Sequence, residues 1–106
     1  MPSTTTLDIK AMRRSAEEAT GLLRVLANED RLLLLCQLSQ GEHSVGELES
    51  LLGIRQPTLS QQLGVLREQE LVSTRRDGKQ IYYLVSDPRA VAVLKTLYRL
   101  FCEGAK

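Results

Sequence analysis

A mainly α-helical domain with a β-hairpin wing, a winged helix-turn-helix, is the fold this sequence predicts. Three observations point to it. Two short helices meet around a glycine turn, the first of them opened by a Ser-x-x-Glu capping box. Asp77-Gly78 separates two β-prone runs, and apolar residues keep helical spacing on both sides of this central part.

The elements follow in order. From about Asp8 to Leu26, Ile9, Met12, Ala16, Ala19, Leu23 and Leu26 recur at spacings of three and four, a narrow stripe of helical period. Asn28 is placed to cap a second helix, "EDRLLLLCQLS", which is apolar nearly all round and so predicted to lie centrally in the core; Gly41 ends it. Ser44 and Glu47 open a third helix, "VGELESLL", which stops at Gly53. After "GIRQ", Pro57 is expected at the first position of the fourth helix, where a missing N–H costs nothing. On that helix Leu59, Leu63 and Leu66 share one side, while Gln61, Gly64 and Glu68 face away. "LVSTRR" and "KQIYYLV" then read as the hairpin, turning at Asp77-Gly78. A last helix starts at Asp87 and Pro88 and runs to about Glu103, with Val91, Leu94, Leu97, Tyr98 and Phe101 at helical spacing.

A chain of 106 residues has room for one domain and one modest core. Residues 8–106 are assigned to that domain and residues 1–7 to a flexible N-terminus. No run approaches the roughly 18 apolar residues of a membrane span, and "MPSTTTLDIKAMRR" has no basic-then-apolar leader pattern. A cytoplasmic protein with no membrane contact is therefore expected. The net charge of +1 argues against a general polyanion binder, yet the basic residues are clustered: Arg75, Arg76 and Lys79 sit at the hairpin tip.

The fourth helix has an unusual surface. A solvated helix face normally mixes Lys with Glu, whereas "QPTLSQQLGVLRE" presents Gln56, Thr58, Ser60, Gln61 and Gln62, all neutral groups that both donate and accept. Such side chains suit base edges in a DNA major groove, where Gln pairs with adenine and Ser or Thr meets several bases. Arg55 and Arg67 flank this face and are expected to hold phosphates, as are Arg75, Arg76 and Lys79 of the wing. The alternative for each group is a plain solvated surface. Ile9, Met12 and Leu23 on the first helix, with Leu97 and Phe101 on the last, are too apolar for so small a monomer and predict a homodimer interface. His43 reads as a loop residue, and of Tyr82 and Tyr83 one is expected to pack inward.

These blocks together carry a resemblance. "LLRVLANEDRLLLLCQL", "SVGELESLLGIRQPTLSQQLGVLRE" and "LVSTRRDGKQIYYLV" resemble the ArsR/SmtB family of bacterial repressors along almost the whole chain. Within it, "LLLLCQL", "RQPTLSQQLGVLRE" and "LYRLFCE" are most similar to the BigR/SqrR branch, which responds to persulfides and other reactive sulfur. The resemblance implies a homodimer on double-stranded operator DNA, with two sensing cysteines per subunit at the positions of Cys36 and Cys102. The metal sites of related sensors are missing: Ser44-Val45-Gly46-Glu47-Leu48 stands where arsenic and cadmium sensors carry C-V-C-D-L, and no histidine follows Asp87 as it does in zinc sensors. No cofactor is expected.

On the residues alone, Cys36 and Cys102 read first as small buried hydrophobes. With the resemblance, they become a redox-sensing pair that reacts with a species such as glutathione persulfide and closes a disulfide or polysulfide bridge. Three other readings stay open: an HlyU-like virulence regulator, a general oxidant-sensing repressor, and a winged-helix module that binds only protein. Enzymatic function is not expected, since no phosphate-cradling glycine loop, paired carboxylates or C-x-x-C is present.

Overall fold

The computed structural model describes residues 8–102, so the expectations for residues 1–7 and for the end of the last helix at Glu103 lie outside the described residues. Among the described residues, five helices and three strands run in the order α1 (Ile9–Leu26), α2 (Glu29–Leu38), β1 (His43–Ser44), α3 (Val45–Leu52), α4 (Thr58–Glu68), β2 (Val72–Asp77), β3 (Gln80–Val85) and α5 (Pro88–Phe101). The winged helix-turn-helix is the observed fold.

The helix boundaries follow from local chemistry. Asp8 caps α1 through Oδ1, which accepts from the Lys10 and Ala11 N–H groups, and Asn28 caps α2 by accepting from Arg31 N–H. Ser44 and Glu47 form the reciprocal capping box of α3, whose C-terminus is released at Gly53 in the left-handed region, φ 71°. Pro57 sits one position earlier than expected, as the residue preceding α4, and offers no side-chain cap. Gln56 replaces it: its Oε1 accepts from both Ser60 N–H (3.3 Å) and Ser60 Oγ–H (2.6 Å).

The end of α4 is locked by two backbone bonds, Glu70 N–H to Arg67 O and Leu71 N–H to Leu66 O, each 3.0 Å. Leu66 and Leu71 are both buried, so this is a Schellman ending with its apolar contact. Its left-handed position is filled by Glu70 (φ 63°) where glycine is usual.

The sheet departs from expectation in two ways. His43 and Ser44 add a short antiparallel strand, giving the order β1-β3-β2, with His43 opposite Tyr83. A two-residue strand has no period to read, which is why His43 looks like a loop residue in the sequence. The hairpin turn is shifted by one: Asp77 still pairs with Gln80, so the turn is Gly78-Lys79, with Gly78 at φ 63°.

The core joins Leu34, Leu35 and Leu38 of α2 to Leu48 of α3, Leu59, Leu63 and Leu66 of α4, and Ala90 and Leu94 of α5. Tyr83 packs against it, while Tyr82 lies outside under the Arg75 guanidinium. Contrary to expectation α2 is buried on one side only: Leu33 and Cys36 are exposed on the other. Leu66→Ala should lower unfolding free energy by roughly 2–5 kcal/mol in denaturant titrations at fixed protein concentration. Glu70→Gly should raise it by about 0.5–1 kcal/mol by relieving the left-handed position.

Candidate functional site

Two surfaces gather the residues singled out from the sequence. The first is the outer face of α4 with the wing. Because Leu59, Leu63 and Leu66 fix the inner side of α4, Ser60, Gln61 and Gly64 are turned outward and exposed. Thr58 and Gln62 stand on its flank, half-buried. Gln56 and Ser60 are joined by the bonds that start the helix. Gln62 is engaged as well: its Oε1 accepts from Arg31 Nη1–H at 3.0 Å. The same Arg31 donates from Nε to Val25 O at 2.7 Å and from Nη2 to Arg24 O at 3.4 Å, tying the end of α1 to α4. Arg55 and Arg67 are exposed at either end of α4.

In the wing, Arg75 is held from two sides. Glu42 accepts from its Nε at 2.8 and 3.0 Å and pairs with Nη2 at 2.7 Å, and the guanidinium lies 4.9 Å from the Tyr82 ring centroid. Arg76 and Lys79 are exposed and make no ion pair among the described residues. Arg75 is thus a strut between the wing and the α2–β1 loop, and the other two cations are the unengaged ones.

The second surface is an open groove of about 980 Å³ between α2 and α5. Cys36 and Cys102, far apart in sequence, both line it, as reduced and exposed thiols. Partial desolvation at the groove wall raises the Cys36 thiol above its ordinary range, and the Cys102 charge adds to it in the same direction. Leu33, Leu97, Tyr98 and Phe101 supply apolar wall. Of the expected dimer residues, Phe101 is 72% exposed and Ile9, Met12 and Leu23 of α1 are likewise uncovered, whereas Leu97 is half-buried; Tyr98, 54% exposed, adds to the apolar surface of α5.

Two contributors, Arg31 and Glu42, had no local signal in the sequence. Arg31 and Gln62 are 31 positions apart and Glu42 and Arg75 33 apart, so only the fold joins them. Lys95 and Arg99, which also line the groove, were detectable: with Cys102 they fall at i, i+4 and i+7, one face of α5. Among the described residues, no three His, Cys, Asp or Glu side chains converge as a metal site, and no helix is long and apolar enough to cross a membrane.

Residues 28–74 match the bacterial regulatory protein, arsR family. The chain is 53% identical over 96 residues to the biofilm growth-associated repressor of Agrobacterium fabrum, an alignment covering 91% of this chain and 82% of that protein. This chain belongs to the arsR family. Among solved structures, the transcriptional repressor BigR from Xylella fastidiosa superposes with a TM-score of 0.83 at 49% identity, over 91% of this chain and 98% of that one. Reduced HlyU from Vibrio cholerae superposes with a TM-score of 0.84 at 41% identity, over 88% and 98%.

The Glu42–Arg75 pair has a measurable signature. Hydrogen bonding from Arg75 holds the Glu42 carboxyl below its ordinary value, against a smaller opposing effect of desolvation. A depressed carboxylate contributes above its unfolded pKa, and the contribution is lost as pH falls through the folded one. Carboxyl chemical shifts should show the Glu42 midpoint moving upward in Arg75→Gln, with the wing less ordered below that pH.

Proposed function

We propose that this arsR-family chain is a homodimeric transcriptional repressor that is released from operator DNA when reactive sulfur links Cys36 to Cys102. The observation that carries the sensing half is the shared groove, which two thiols on separate helices both line. The repressor half is supported by the outward polar face of α4, by the wing, and by relatives described as repressors.

On DNA, the N-terminal half of α4 enters the major groove, with Gln61 and Ser60 reading base edges and Thr58 beside them. Gln56 is partly committed to starting the helix, and Gln62 to Arg31, so their contribution is chiefly to fix the angle of α4. Arg55, Arg67, Arg76 and Lys79 hold phosphates, and Arg75 positions the wing. The exposed apolar residues Ile9, Met12 and Leu23 of α1 and Phe101 of α5, with the half-buried Leu97, pair with a second copy, which sets the half-site spacing.

The sulfur chemistry balances without a cofactor. A cysteine thiolate attacks the outer sulfur of a persulfide R–S–SH, the S–S bond breaks, and RSH leaves after taking a proton. The second cysteine then attacks the first cysteine's Sγ and expels hydrosulfide, leaving a disulfide. In total, two thiols and one persulfide give one disulfide, one RSH and one hydrogen sulfide. A second persulfide molecule in the same sequence gives a trisulfide with two RSH and one hydrogen sulfide. The bridge ties α2 to α5 and shifts the reading helices of the dimer. Similarity to HlyU, solved in a reduced form, favours a second reading in which the same dithiol answers oxidants generally in a virulence regulator.

Cys36→Ser and Cys102→Ser should each keep operator binding in fluorescence anisotropy while losing persulfide-induced release. Release from either variant would end the two-thiol reading. In salt titrations, Arg76→Ala and Lys79→Ala should each flatten the log–log slope by about 0.9 for every phosphate no longer neutralised, and Arg75→Gln by less. Equal slopes for all three would remove the strut assignment.

A further inference from the structure

The groove holding the thiols is larger and more charged than an inorganic sulfur donor requires. At about 980 Å³ it falls in the size range of small-molecule sites, and the described residues lining it include two cations, Lys95 and Arg99, and no acidic side chain. Both cations are exposed on α5, and neither makes an ion pair among the described residues. They precede Cys102 by seven and three positions, so one helix face carries both charges and the thiol. Gln37 and Gln40 of the opposite wall add neutral donors, and Tyr98 and Leu33 supply apolar contact for a carrier's body. Cations on one rim, amides across from them and apolar wall between match an organic anion.

We propose that Lys95 and Arg99 form an anion-docking rim that selects carboxylate-bearing low-molecular-weight persulfides over neutral ones. The inference deepens the dithiol reading and rests on it. The carrier's carboxylates pair with the two cations, which sets its terminal sulfur against the thiols. As the cysteine thiolate attacks that sulfur, the S–S bond breaks and the electron pair leaves on the carrier's inner sulfur. That RS⁻ group departs beside the same two cations before taking its proton. Docking and leaving-group charge are thus served by one pair of residues.

The test compares glutathione persulfide with the persulfide of its diethyl ester, which keeps the body and removes both carboxylate charges. Stopped-flow rates of thiol modification are measured for the wild type and for Lys95→Gln/Arg99→Gln, at low and high salt. The ratio of the two rates cancels any change in intrinsic thiol reactivity caused by the substitutions. The wild type should favour the anionic donor by about three- to ten-fold, from two partly screened ion pairs. The preference should shrink in high salt and fall to near one in the double variant. A wild-type ratio of one, or an unchanged ratio in the double variant, overturns the docking rim and leaves the dithiol reading standing. Inorganic hydrogen disulfide reacting faster than glutathione persulfide overturns the organic carrier. Failure of every donor to modify either thiol overturns the dithiol reading and the inference with it.

Discussion

The packing of α2 is the constraint on which the other elements hang. Its inner side, Leu34, Leu35 and Leu38, is interlocked with Leu59, Leu63 and Leu66 of α4, and these six leucines are buried almost completely. Close packing of this kind does not deform gradually, so α4 moves only as α2 allows. The outer side of α2 is the opposite case. It carries Cys36 into an open groove and is only loosely covered by α5. One ten-residue helix therefore holds the outward-facing helix on one side and an exposed thiol on the other. Arg31 adds a polar link in the same direction, joining the end of α1 to Gln62 of α4.

In the proposed mechanism this arrangement is what makes a small covalent change matter. A bond between Cys36 and Cys102 would tie the exposed side of α2 to the end of α5 and so set the angle between the two helices. The apolar surfaces proposed as the dimer interface lie on α1 and α5, so the same angle governs how two reading helices are spaced. Part of the wing is removed from this coupling. Arg75 is braced by Glu42 and Tyr82, so it holds the wing to the body of the domain, and the exposed Arg76 and Lys79 are left to meet a polyanion.

Much of this was legible in the sequence because it depends on local rules. The capping box at Ser44 and Glu47, the cap at Asn28 and the leucine spacing of α4 all act within a few residues and are found where the sequence puts them, and the hairpin forms with its turn one residue later than Asp77-Gly78. The misses have physical causes. The β1 strand is two residues long and exists only because β3 pairs with it. Pro57 precedes α4, because a side chain from Gln56 does the capping that proline cannot. The composition of "RLLLLCQL" suggested a helix buried all round, but a domain of this size has too few partners to cover both sides, and Cys36 ends on the open one. Contacts such as Arg31 with Gln62 and Glu42 with Arg75 are long-range and had no pattern to read.

Coupling between the thiols and DNA is best decided by mass spectrometry of the protein as it leaves the operator, with peptide mapping, after separate treatment with glutathione persulfide, disulfide and peroxide. A Cys36–Cys102 link is expected in the released fraction after persulfide, and two free thiols in the fraction that stays bound. Release from DNA with both thiols unmodified would contradict the dithiol switch, and would return the two cysteines to ordinary surface residues of an arsR-family protein with a different signal.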